Sequence, residues 1–237
     1  MTDTPRRAVL LAAGRGARLK PHTDRTPKPL LVHRGKPTLD YLLQSLLEAG
    51  VNDIILVAHH LADQIERYAD AWSARHSQSV HVIHQSHLFG TAHALHEVIE
   101  MQPDFVTEHF VLSATDYLVS REFFGDLLNF HKAHDCDMSI SLKSLEESEL
   151  ATRSSVRFAD DERIVEVVEK PVAGTAPSSI GANLTFIMPP SIVPYVLEVP
   201  ISSRGEREIQ HAVNAWLEQG GQARGLLQAT PIEWSER

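Results

Sequence analysis

Leu10–Leu31 reads Leu-Leu-Ala-Ala-Gly-Arg-Gly-Ala-Arg-Leu-Lys-Pro-His-Thr-Asp-Arg-Thr-Pro-Lys-Pro-Leu-Leu. The apolar run Ala8-Val9-Leu10-Leu11 leads into it, as a buried first strand would. Leu11, Ala12, Ala13, Gly14, Arg15 and Gly16 then form a small-residue turn whose successive backbone N–H groups can converge on a phosphate. Five cations (Arg15, Arg18, Lys20, Arg25 and Lys28) follow within fourteen residues, on a chain whose net charge is −9. A basic loop on an acidic protein points to local anion binding. Pro21, Pro27 and Pro29 oppose a continuous helix from Lys20 to Leu30, because each lacks an N–H and pushes its predecessor toward extended geometry. The segment therefore reads as a stiff extended loop holding Arg18 and Lys28 at fixed distances. A dinucleotide fingerprint is excluded, since Gly14-Arg15-Gly16-Ala17-Arg18-Leu19 ends in Leu and runs toward Pro, and Gly-Lys-Ser/Thr of a Walker loop does not occur.

At 237 residues, 43% hydrophobic and 22% charged, the chain fits a globular α/β domain with a substantial core. Its single cysteine, Cys136, excludes an intramolecular disulfide and a cysteine-based zinc cluster, which suits a reducing compartment. No run of about 18 apolar residues occurs and no targeting segment opens the chain, so a cytoplasmic protein without a membrane partner is expected. Acidity argues against polymeric nucleic acid as substrate. His93 and His96, three apart on an expected helix, have a spacing that metals use; ordinary solvated or hydrogen-bonded histidines are the competing reading.

Helical periodicity at Leu39, Leu42, Leu43, Leu46 and Leu47 predicts a helix over 37–49, ended by Gly50. Strands are predicted at 53–58, 80–85 and 109–114, and helices at 61–75, 91–101 and 121–134. This alternation implies right-handed crossovers and a mainly parallel sheet covered on both faces, with ligands beyond the carboxyl ends of its strands. Two candidate site motifs fall at such ends. In Gln85-Ser86-His87-Leu88-Phe89-Gly90-Thr91, the Gln85 amide can read a pyrimidine edge, Gly90 permits close backbone approach and Thr91 can cap the next helix; an ordinary strand–turn–helix junction has the same composition. Asp116, just past Phe110–Thr115, can hold Mg²⁺ against triphosphate oxygens or simply cap a turn. After Cys136, strands are predicted at 138–142 and 164–168, with Phe158 in a short one between them.

Gly-x-Gly-x-Arg, then Pro-x-Thr, then Pro27-Lys28-Pro29-Leu30-Leu31 resembles the signature of the sugar-1-phosphate nucleotidyltransferases. These nucleotide-sugar pyrophosphorylases include the catalytic domains of N-acetylglucosamine-1-phosphate uridylyltransferases and glucose-1-phosphate thymidylyltransferases. The resemblance implies a Rossmann-like three-layer α/β/α fold with a mixed, mainly parallel central sheet. It implies one domain over 1–237, with a nucleotide-binding half at 1–135 and a sugar-phosphate-binding half at 136–237. Leu11 to Gly16, Gln85, Gly90 and Thr91 would hold the nucleotide, with UTP favoured and dTTP next. Arg18 and Lys28 would act in catalysis with Asp116, which with Glu236 would carry Mg²⁺; Glu236 reads equally as a solvated terminal charge. Glu169 and Lys170 resemble the family's Glu-Lys-Pro, and Asn183 a sugar-contacting Asn. Thr115 stands where the family usually has Gly, Ser154-Ser155 where it has Tyr-Gly, and His211 where Gly-Glu-Tyr-x-Ile/Leu-Thr-Asp ends in Asp. The helix expected from Arg204 to about Gln219 is read as mainly structural. Two other classes are compatible: a cytidylyltransferase for a phosphorylated alcohol or phosphonate, and a non-catalytic nucleotide-sensing homologue. A homo-oligomer is compatible too.

Overall fold

The computed structural model describes residues 4–229 and the backbone of 232–233. Nine strands form one sheet: β1 Arg7–Leu11, β2 Asp53–Ala58, β3 Ser79–His84, β4 Phe110–Ala114, β5 Met138–Ser144, β6 Ser154–Phe158, β7 Ile164–Glu169, β8 Ile180–Met188 and β9 Ala223–Leu227. Their order is β3-β2-β1-β4-β8-β5-β9-β7-β6. β1 pairs in parallel with β2 and β4, in the register Leu11 to Val57 and Leu11 to Ala114, so three strand ends finish side by side. β8 enters antiparallel between β4 and β5, and the sheet is mixed from there on.

Period-two alternation along the strands builds a core on each face. Val9, Phe110 and Leu112 pack with α3 (Thr91–Met101), α5 (Val193–Leu197) and α6 (Ile209–Glu218). Ala8, Leu10 and Val111 pack on the other face with α1 (Thr38–Glu48), α2 (Ala62–Ser73) and α4 (Phe123–His134). The result is a three-layer α/β/α arrangement. Leu39, Leu42, Leu43 and Leu46 of α1 are wholly buried, as their spacing predicts. Among the described residues no helix is long and apolar enough to cross a membrane.

The segment after β1 is more tightly wound than the extended loop predicted from its prolines. It contains three short 3₁₀ turns, Ala17–Leu19, His22–Asp24 and Lys28–Leu30. Proline is compatible with such short turns because few of their N–H groups need partners. The turns are pinned from outside: Thr23 Oγ1 donates to Gly16 O (2.9 Å), His60 Nε2 lies 2.8 Å from Thr23 O, and Thr38 Oγ1 donates to Pro29 O (2.8 Å). The two glycines differ in what they are needed for. Gly16 has φ +60°, and a Cβ there would lie 2.7 Å from Thr23 Cγ2. At Gly14 a Cβ would meet nothing within 4 Å.

Helix α6 starts later than its amphipathic pattern suggests, at Ile209 and not Arg204. The backbone of the preceding turn is engaged elsewhere: Arg207 N–H donates to Phe89 O (2.6 Å) and Arg207 O accepts from Ala92 N–H (2.9 Å). This seam ties the start of α3 to the approach of α6. Gly90 allows it, with φ +98° and Arg207 O 2.5 Å from where a Cβ would stand.

Two outcomes test this scaffold. Gly16→Ala should lower unfolding free energy in urea by about 1–3 kcal/mol, the cost of a left-handed non-glycine residue, whereas Gly14→Ala should stay within ~0.5 kcal/mol of wild type. Equal losses would refute the assignment of the turn to Gly16. The second concerns His131 on α4, buried with Nδ1 2.9 Å from Ser139 Oγ and Nε2 without a hydrogen-bond partner among the described residues. Burial first, then His109 and against the pull of Asp137, pushes its pKa down to about 4. The unfolded chain then takes up a proton that the folded chain refuses, so this contribution is present above pH ~6.5 and lost as pH falls toward 4. Urea midpoints over pH 7 to 4.5 should drop more steeply for wild type than for His131→Gln; parallel curves would show that His131 is not held neutral.

Candidate active site

Two cavities open at the carboxyl ends of β1 and β4. The larger, about 530 Å³, is floored by Leu11, Ala12 and Ala13 and rimmed by Gly14, Arg15, Gly16 and Arg18. Gln85, Gly90 and Thr91 form its far wall, and Lys28, Thr115 and Asp116 its inner end. The smaller, about 240 Å³, is lined by Glu169, Lys170 and Asn183. Arg18, Thr91, Asp116, Leu184 and Glu206 line both, so the cavities abut. The candidate catalytic, nucleotide and sugar-phosphate residues within the described residues thus line one continuous cleft, whereas His93 and His96 do not line it and Glu236 lies outside the described residues.

At the seam between the cavities, Lys28 Nζ stands 2.6 Å from Asp116 Oδ2, with the side chains 24% and 32% exposed. Lys28 opens the third 3₁₀ turn, between the buried Pro27 and Pro29, so its backbone has little freedom. Asp116 follows β4 directly, beyond Thr115. The Thr115 hydroxyl donates to Leu11 O (2.9 Å) and the residue is buried. It therefore bonds the ends of two adjacent parallel strands instead of projecting into the cleft. Of the five cations in the loop, Arg15, Arg18 and Lys28 line the larger cavity. Lys20 instead pairs with Asp24 on the surface (3.2 Å).

Thr91 does not cap α3. Gly90 occupies that position without a side-chain bond, and the Thr91 hydroxyl accepts instead from Ile209 N–H (2.9 Å), satisfying an open donor at the start of α6. The Gln85 side chain is buried, with Nε2 2.9 Å from His93 Nδ1. His93 and His96 stand near carboxylates one turn along, His93 Nε2 3.7 Å from Glu97 Oε1 and His96 Nε2 3.2 Å from Glu100 Oε1. Among the described residues no group of three His, Cys, Asp or Glu is placed to hold a metal.

In the smaller cavity Glu169 is fixed on both oxygens. Oε2 accepts from the Ser154 hydroxyl and from Gln210 Nε2 (2.9 Å), and Oε1 lies 3.4 Å from Lys170 Nζ. Asn183 is buried and donates through Nδ2 to Ser141 Oγ (3.0 Å). Helix α6 is therefore more than structural, because its first turn supplies Gln210 to this wall. Sequence reading also missed Lys143, a buried lysine whose Nζ is 3.4 Å from Glu149 Oε1. The polar alternation Ser139, Ser141, Lys143 along β5 is the signal that marks its face. Ser154 bonds Glu169 through its hydroxyl, while Ser155 Oγ donates to Ser178 O (2.7 Å).

Residues 7–234 match the nucleotidyl transferase family. UTP–glucose-1-phosphate uridylyltransferase AglF of Haloferax volcanii is 29% identical over 215 residues, covering 90% of this chain and 84% of AglF. The low-salt glycan biosynthesis nucleotidyltransferase Agl11 of the same organism is 27% identical over 90% of this chain, and the match spans 58% of Agl11. The catalytic subunit beta of mannose-1-phosphate guanylyltransferase from Danio rerio is 32% identical over 166 residues, 70% of this chain and 45% of its own. The crystal structure of a UDP-glucose pyrophosphorylase with UDP-glucose superposes with a TM-score of 0.82 at 20% identity, covering 94% of this chain and 91% of that one; that likeness speaks for the fold. With the match running through the glycine-arginine turn after β1, β4 and the Glu169 strand alike, the chain belongs to the nucleotidyl transferase family.

Proposed function

We propose that this protein condenses a nucleoside triphosphate with a sugar 1-phosphate to give a nucleotide sugar and pyrophosphate, with UTP the favoured donor and dTTP next. The observation that carries this reading is the Lys28–Asp116 pair at the junction of a larger cavity edged by a glycine-arginine turn and a smaller one walled by carboxylate and amide. An oxygen of the acceptor phosphate attacks the α-phosphorus in line, the bond from that phosphorus to the β-phosphate bridging oxygen breaks, and pyrophosphate leaves. No proton need move, because the attacking oxygen is already anionic. Such transfers need positioning and charge neutralisation more than covalent help.

The turn from Leu11 to Gly16 presents backbone N–H groups to the base and phosphates, and Arg15 and Arg18 supply charge at its rim. Arg18 is suited to the charge that develops on departing pyrophosphate, since it lines both cavities. Lys28 has three N–H donors, of which one is committed to Asp116, leaving two for the attacking phosphate and the α-phosphate. Glu169 accepts hydrogen bonds from vicinal sugar hydroxyls, and Lys170 and Asn183 complete the acceptor site. The donor set suits Mg²⁺, which takes one or two carboxylates and fills its shell with phosphate oxygens and water. Asp116 offers a hard carboxylate in the shared wall, with Oδ1 unengaged by any described residue. When bound, the ion neutralises triphosphate charge and holds those oxygens in place.

A matrix of UTP, dTTP, GTP, CTP and ATP against hexose 1-phosphates, amino-sugar 1-phosphates and phosphorylated alcohols, read as pyrophosphate released, tests the reading. Turnover is expected with UTP and a sugar 1-phosphate. Turnover confined to CTP and a phosphorylated alcohol would replace it, and binding with no pyrophosphate from any pair would point to a nucleotide sensor. Lys28→Ala should cut kcat/KM by ~10²–10³, the cost of a positioned charge at the transition state; a loss below threefold would remove Lys28 from this role.

A further inference from the structure

A carboxamide has an acceptor at one end and donors at the other, so which end faces a nucleobase decides which bases fit. Gln85 has its end chosen for it. Its backbone is fixed by Ala58 O, which accepts from Gln85 N–H (2.7 Å), and by His59 Nδ1, 2.8 Å from Gln85 O. Its Nε2 is 2.9 Å from His93 Nδ1, while its Oε1 meets no hydrogen-bond partner among the described residues and the side chain lines the larger cavity.

What orients His93 is Glu97, one turn further along α3, with Oε1 3.7 Å from His93 Nε2. A carboxylate beside Nε2 favours the proton on that nitrogen and leaves Nδ1 with a lone pair. A lone pair accepts the amide N–H and repels the amide oxygen, so Gln85 must turn Nε2 toward His93 and Oε1 toward the cavity. Glu97 is anchored in its turn by the Ser86 N–H (3.1 Å) and the Ser86 hydroxyl. Phe89 packs edge-on to the His93 ring, centroids 5.3 Å apart. Glu97, His93, Gln85 and the cavity thus form one chain of contacts.

We propose that His93 is a specificity-determining positioning residue: it holds the Gln85 oxygen toward the base and so, among pyrimidines, selects the rings that carry N–H at N3, uracil and thymine, against cytosine. Uracil and thymine donate N3–H to that oxygen, whereas cytosine presents a lone pair at N3. The inference rests on the reading of the larger cavity as the nucleotide site.

The groups facing His93 keep it neutral. Burial first, with His96 of the same helix, Arg207 of the facing turn and His87 of the preceding loop, lowers its pKa against the carboxylate of Glu97. The preference should therefore be full at pH 7 to 8 and decline in acid, where a proton on Nδ1 makes it a donor and turns the amide around.

The test is calorimetric binding of UTP and of CTP, each with Mg²⁺, to wild type, His93→Phe and Glu97→Gln at pH 7.5. Wild type should bind UTP at least ~tenfold tighter than CTP, and His93→Phe should reduce that ratio by ~tenfold, the effect of one wrongly set hydrogen bond. Glu97→Gln should move the ratio in the same direction by less. A ratio unchanged in both variants, equal loss of both nucleotides, or a wild type indifferent to the two overturns the proposal. Should His93→Phe fail to fold, by circular dichroism, Glu97→Gln decides alone. Binding without turnover in the substrate matrix would sink the transferase reading and leave this one standing on the ratio, while a folded wild type that binds neither nucleotide sinks both.

Discussion

The contact between Lys28 and Asp116 joins two parts of the chain 88 residues apart. On one side is a loop held by three 3₁₀ turns; on the other is the residue just past a fully buried strand. Surface ion pairs contribute little, about 0–1 kcal/mol, but with the two side chains 24% and 32% exposed this pair is closer to the regime where removing one partner strands a charge. The cleft depends on that constraint. Without Lys28 the acidic chain would present an unmatched carboxylate in the shared wall of the two cavities, and on the proposed reading that charge would repel the anionic donor.

The second constraint is the seam between α3 and the turn before α6. Three backbone or side-chain bonds hold it, Arg207 N–H to Phe89 O, Ala92 N–H to Arg207 O, and Ile209 N–H to Thr91 Oγ1. They flank Thr91 and Glu206, which line both cavities, so the larger cavity and the smaller one share a braced edge. This explains the composition of the Phe89-Gly90-Thr91 corner without reference to a ligand: glycine is needed for close approach, and threonine for a hydroxyl that reaches a neighbouring helix.

The first half of the fold was legible because its signals are local. Apolar runs, helical spacing and glycine stops located β1 to β4 and α1 to α4 within a few residues. The geometry of the loop after β1 was legible only in part: proline excluded a long helix, yet nothing in its spacing reported that Thr23, Thr38 and His60 would hold it in short turns. The insertion of β8 between β4 and β5 was not visible, because strand order is decided by pairings across many residues and no local pattern encodes them. The same holds for the wall around Glu169. Its partners Ser154 and Gln210 are 15 and 41 residues away, and α6 looked structural because amphipathicity reports only the buried face. Thr115 is a further case, because nothing local reports that its hydroxyl bonds back to Leu11 O, 104 residues away.

A common feature of the polar groups in the cleft is that their positions are held by protein before any substrate arrives. Glu169 has Ser154, Gln210 and Lys170; Asn183 has Ser141; Gln85 has His93; Lys28 has Asp116. Each retains unused capacity, because an amide or carboxylate oxygen accepts more than one hydrogen bond and an ammonium donates three. On the proposed reading, substrate would add bonds to side chains whose rotamers are already chosen, with the entropy of ordering them offset in folding. Transfer between two phosphates gains most from that arrangement, since its barrier is set by alignment and charge placement instead of by a nucleophilic side chain. The cost falls on the scaffold: buried Gln85, Asn183 and Lys143 are tolerated only while their partners stay in place, so the residues behind the cleft wall constrain the chemistry as much as those facing it.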